Sequence, residues 1–128
     1  MKTTAPDWIG LVGRVLMSAI FIWAGIGKAM APAMTMGYFA KVGLPVTGVA
    51  YAITLLVEIG GGVLFLVGWR VRITSLVLSI WCIATAMVAH NHPEIREQMI
   101  NFMKNLAMAG GFLQIVAFGA GRISLDRK

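Results

Sequence analysis

The chain has 128 residues, 59% of them hydrophobic and 12% charged, with a net charge of +6 and a mean hydropathy of +0.82. A soluble domain carries about 25% charged and about 45–50% apolar residues, so that class is excluded. The basic residues flank apolar runs instead of forming a concentrated face with interleaved aromatics, which argues against nucleic acid and makes the lipid bilayer the expected surroundings.

The N-terminal stretch "MKTTAPDWIGLVGRVLMSAIFIWAGIGKAMA" has the basic start, apolar middle and AMA end of a cleavable signal, but Asp7 and Arg14 interrupt it and the run is long enough to span. It is expected to remain as the first of four apolar segments, at residues 8–30, 46–69, 73–90 and 102–119. Each approaches the ~20 residues a helix needs to cross ~30 Å of hydrocarbon. Only helices or closed barrels satisfy every backbone group in lipid, and these runs are too long and unalternating for barrel strands. The predicted architecture is an all-α integral membrane protein, a single unit whose four transmembrane helices form a bundle with short loops.

The connections fit that plan. Pro32 ends the first span, and "AMTMGYFAKVGLP" reads as a short interfacial helix ending at Gly43. "GWRVR" leaves room only for a tight turn between spans two and three. Pro93 suits the first turn of a new helix, with Glu94 and Glu97 near its positive end. "PEIREQMINFMKN" sets Ile95, Met99, Phe102 and Met103 at helical spacing, an amphipathic interfacial lead-in to the fourth helix. Lys2, Arg70, Arg72, Arg122, Arg127 and Lys128 fall on one side of the membrane, with Arg14 near that end. Lys28, Lys41, Arg96 and Lys104 fall on the other, so the positive-inside rule places both termini in the cytoplasm.

Polar and small residues recur in steps of three and four, which puts them on one face of each helix. Span one carries Gly10, Arg14, Ser18, Phe21, Gly25 and Lys28. Span two carries Tyr51, Thr54, Glu58, Gly61, Gly62 and Phe65. Span three carries Ser75, Ser79, Cys82, Ala86 and Ala89, and span four carries Lys104, Ala107, Gly111 and Gln114. Membrane helices associate by close packing and hydrogen bonding across small residues, so these stripes are expected to face inward. The glycines after Glu58 would let a neighbouring helix come close beside the carboxylate. An unpaired charge at the bilayer centre costs at least ~2.5–3.5 kcal/mol, so Glu58 needs a partner. Arg14, ~9 Å into span one, is the expected one, by direct contact or through water.

A second polar set gathers at the outer end: Lys28, His90, Lys104 and Asn105. His90 and His92 stand two residues apart, with no cysteine cluster or HExxH to complete a metal site, so no metal is expected. Haem is not expected either, since His90 is the only candidate axial ligand near a span. The "GGG" lies within a span and is no dinucleotide fingerprint. Cys82 is the single cysteine, cannot pair internally, and reads as a small buried hydrophobe.

The ordered set "RVLMSAIFIWAGIGKAM", "YFAKVGLP", "LLVEIGGGVLFLVGW", "AHNHPE" and "FMKNLAMAGGFL" resembles the DoxX family of membrane proteins along nearly the whole chain. The resemblance implies a multi-pass protein of a bacterial-type inner (plasma) membrane. The family is named for a subunit associated with thiosulfate:quinone oxidoreductase, and relatives are described as quinol oxidase subunits or membrane oxidoreductase components. The matching positions are Arg14, Gly25, Lys28, Glu58, Gly60, Gly61, Gly62, His90, Lys104, Asn105, Gly110 and Gly111.

Three functions are open at this point. In a quinone- or quinol-interacting oxidoreductase subunit, Glu58, Arg14 and His90 are the catalytic candidates, and Lys28, Lys104, Asn105 and Tyr51 the substrate-binding ones. Quinone is then the candidate cofactor, and any electron transfer needs a diffusible quinone or a redox partner protein, because no cysteine pair, flavin motif or haem ligation accompanies these residues. The alternatives are a scaffold for assembling a redox complex and a small proton-coupled transporter. A homo-oligomer is compatible with each.

Overall fold

The computed structural model describes residues 7–90, 94–119, 121 and 124–125. His92 and Pro93, and the basic Lys2, Arg122, Arg127 and Lys128, lie outside the described residues, as does the Ala89 side chain. The order is α1 (Asp7–Ala29), α2 (Pro32–Lys41), α3 (Thr47–Leu55), a π-helical segment (Leu56–Gly61), α4 (Gly62–Val67), α5 (Val71–Ala89) and α6 (Arg96–Phe118). α3, the π segment and α4 run on as one 21-residue rod, Thr47–Val67. There is no strand among the described residues.

Three helices are long and apolar enough to cross a membrane: Trp8–Ala29, Thr47–Val67 and Val71–Val88. The fourth span expected at 102–119 is not among them. Its helix is long enough, at 23 residues, but Lys104, Asn105 and Gln114 dilute its apolar run. The expected lead-in and fourth span are also not separate elements, because the helix starts at Arg96 and continues unbroken to Phe118.

Short connections enforce antiparallel neighbours. Pro32 opens α2 at a position where its missing N–H costs nothing. The rod ends at Gly68, whose φ of +74° lets the Gly68 and Trp69 amides both return to the Leu64 carbonyl. α1 then packs along the rod, α5 along α6, and the two pairs join where α5 meets the π segment and α4.

The expected inward stripes hold for three helices, apart from Gly10 at the start of α1, which is exposed. Arg14, Ser18, Phe21 and Gly25 are buried on α1, as are Thr54, Glu58, Gly62 and Phe65 on the rod, and Ser75, Ser79, Cys82 and Ala86 on α5. On α6 the prediction chose the wrong face: Lys104, Ala107 and Gln114 are exposed, and Ala109 and Phe112 are the buried pair. Aromatic packing decided this. Phe112 meets Phe21 edge-on at 5.4 Å and Phe65 at 5.0 Å, closing the core of the molecule. Ser79 donates to the Ala109 carbonyl at 3.0 Å, fastening α5 to α6.

Candidate functional site

Two glycines set how close α1 comes to the rod. A Cβ on Gly25 would sit 2.6 Å from Ile59 Cγ1 and 3.1 Å from Glu58 Cβ, and one on Gly62 would sit 2.8 Å from Ile22 Cγ1. Small residues at both points let the backbones approach. Lys28, one turn beyond Gly25, then reaches the carboxylate. Its ammonium donates to Glu58 Oε1 at 2.8 Å and Oε2 at 2.9 Å. Trp81 on α5 donates its indole N–H to Oε2 at 3.3 Å. The Glu58 side chain is 7% exposed and that of Lys28 32%, so the pair is buried at the acid and half-open at the base.

The contact expected between Arg14 and Glu58 does not form. Arg14 is buried and donates to the carbonyl of Leu66, eight residues further along the rod, or ~12 Å by helical rise. That carbonyl belongs to the last turn of α4, where no intrahelical donor is available and a cation is favoured. Arg14 thus serves the Val67 end of the rod, whereas the carboxylate lies near its middle. Nearby, the Leu125 amide donates to Val67 O at 2.9 Å, laying part of the C-terminal segment against the same end.

A cavity of about 170 Å³ lies beside the ion pair. Four of the sequence-predicted residues line it: Lys28, Glu58, His90 and Asn105. Trp81, Cys82 and Thr85 of α5 complete its polar wall, and Ile20, Phe21, Ala24 and Met108 its apolar one. His90 Nδ1 donates to Gln98 Oε1 at 2.7 Å, tying the end of α5 to the first turn of α6. In the neutral ring that bond leaves Nε2 as an acceptor.

Tyr51 and Lys104 stand outside this group. Tyr51 donates its hydroxyl to the Lys28 backbone carbonyl at 2.9 Å, holding the last turn of α1. Tyr51→Phe is expected to cost about 1 kcal/mol in thermal unfolding in detergent, the net worth of one hydrogen bond. Lys104 is exposed and lines a shallow groove along α6 with Arg96, Met99, Ile100 and Met103. Sequence reasoning missed Trp81, Thr85 and Gln98. Trp81 and Thr85 stand four apart on the flank of the α5 stripe, a signal weakened because the stripe itself is lined with better-known small residues.

Long apolar helices that bury an acid, with a half-open base and a partly buried indole beside it at one small cavity, mark the class as a membrane protein with polar side chains gathered between its helices. The DoxX family pattern matches residues 9–91, and the chain belongs to that family. The chain is 38% identical over 117 residues to inner membrane protein YqjF of Escherichia coli K12, covering 91% of this chain and 88% of the relative. To inner membrane protein YphA of the same organism it is 32% identical over 123 residues, covering 92% and 88%. These two alignments leave too little of the chain unmatched to omit α6. No solved structure matches the chain.

Proposed function

We propose that this DoxX-family inner membrane protein is a quinone- or quinol-interacting subunit of a membrane oxidoreductase system, with α6 completing a four-span bundle and both termini in the cytoplasm. The observation that carries this reading is the convergence of Lys28, Glu58, Trp81, His90 and Asn105 on one cavity with an apolar opposite wall. A quinone ring presents flat apolar faces and two carbonyl acceptors, and it needs few but well-placed donors. The Lys28 ammonium and the Asn105 amide are such donors, and His90 joins them when Nε2 carries a proton.

Size agrees. Pockets for whole drug-sized ligands run ~300–1,000 Å³, so about 170 Å³ suits a single ring and little else. Reduction of a quinone takes two electrons and two protons. In this reading a partner protein delivers the electrons, and Glu58 and His90 exchange the protons with the ring oxygens. In the sequence, Arg70, Arg72 and the terminal Lys and Arg residues flank the same ends of the apolar runs and outnumber the basic residues flanking the other ends, which supports the cytoplasmic placement.

The test is binding of a short-chain quinone to the purified protein in detergent, read by calorimetry. Wild-type protein is expected to bind, and Asn105→Leu to bind roughly tenfold more weakly, the loss of about one hydrogen bond at 1.4 kcal/mol. Absence of wild-type binding, or an unaltered affinity in Asn105→Leu, rejects the proposal.

A further inference from the structure

We infer that the cavity opens sideways into the bilayer between α1 and α6, and that its ligand is an amphiphile whose apolar chain stays in the lipid. The inference rests on the function proposed above only for the choice of head group.

Helix pairing comes first. α1 lies along the rod and α5 along α6, whereas α1 and α6 do not run in close backbone contact. They meet through side chains at one level. Met17 closes on Gly111, where an added Cβ would lie 3.0 Å from Cε, and Phe21 meets Phe112 at 5.4 Å. That level is the floor of the cavity. Ile20 at that level and Ala24, one turn beyond it, face the cavity from the α1 side, and Asn105 and Met108 of α6 face it from the other.

Exposure shows where the opening leads. Ile20 lines the cavity and is 49% exposed, so the cavity wall at that side chain is not sealed by neighbouring helices. Ile20 belongs to a helix that crosses the membrane, and its surroundings outside are acyl chains. The polarity is graded across the cavity. Glu58 and Trp81 stand on the inner wall, and Ile20, Ala24 and Met108 at the mouth. A molecule matching that gradient has a hydrogen-bonding head and an apolar chain. At about 170 Å³ the cavity holds the head alone, and the chain leaves through the gap.

Two readouts test this, one of them independent of any quinone. A chain bearing Trp8→Phe, Trp23→Phe and Trp69→Phe keeps Trp81 as its only fluorophore of that type. In nanodiscs of phosphatidylcholine with brominated acyl chains, Trp81 emission is expected to fall by half or more. Blocking the gap with Ala24→Phe, or from the α6 side with Met108→Phe, is expected to reduce that quenching at least threefold. In unbrominated discs, either block is expected to weaken a decyl-substituted benzoquinone at least ten times more than its tailless counterpart. Unquenched Trp81, quenching that neither block alters, or equal weakening of the two quinones overturns lateral entry. If wild-type protein binds neither quinone, the redox reading fails while the quenching still decides the opening.

Discussion

Gly25→Leu is expected to yield no folded protein, measured as the loss of a monodisperse species in detergent and of any cooperative thermal transition. The first atom of the new side chain already lies 2.6 Å from Ile59 Cγ1, 3.1 Å from Glu58 Cβ and 3.3 Å from the Ile59 backbone nitrogen. The Ile59 side chain can turn away, but Glu58 Cβ and the backbone of the π segment cannot. α1 must then move off the rod, which takes Lys28 from Glu58 and Phe21 from Phe112. Gly25→Ala, with the same clash and no further atoms, is expected to cost about 1–3 kcal/mol. Gly27→Leu is the control: a Cβ there meets nothing within 4 Å, and its effect is expected to stay within about 0.5 kcal/mol.

Lys28→Met is expected to destabilise the protein by about 3 kcal/mol, the lower end for breaking a buried pair, because the ammonium is partly exposed while the carboxylate is not. What remains is an acid with the Trp81 indole as its remaining donor among the hydrogen bonds described. The double variant Lys28→Met/Glu58→Leu should regain most of the loss, since replacing both charges of a buried pair with apolar groups is often neutral. Glu58→Gln should cost less than Lys28→Met. It leaves the half-open Lys28 free to reach toward the head groups. Chemical unfolding of the four proteins in one detergent separates these outcomes. Equal losses in the Lys28→Met and double variants would remove the ion pair from any account of the fold.

The spacing of apolar runs and of small residues made the helices, the close approach at the glycines and most of the cavity wall legible in the chain. Which base meets the acid was not. Counting depth along the runs puts Arg14 ~9 Å into span one, within reach of Glu58, and sets Lys28 apart at the outer end of that span. The structure offsets α1 against the rod so that Gly25 faces Glu58, and that offset follows from where glycine permits contact, not from run midpoints. Gly25 and Gly62 were the informative residues, read together as one antiparallel register. The π segment had no sequence period to betray it, since a single wider turn at Leu56–Gly61 is a hydrogen-bonding choice made under tertiary contact. On α6 the small-residue rule failed because Phe112 and Ala109, not the polar stripe, supply the inner face.

The ion pair has a consequence for voltage. Ammonium and carboxylate cancel, so the resting site presents a dipole to the membrane field and feels little net force. Removing the carboxylate's charge, as Glu58→Gln does, changes that, turning a neutral site into a monovalent cation part-way through the bilayer. A full crossing of one charge is worth about 2.3 kcal/mol per 100 mV, and a site at the depth of Glu58 takes a fraction of it. The Glu58→Gln protein would therefore carry a charge that feels the transmembrane potential where the intact pair does not.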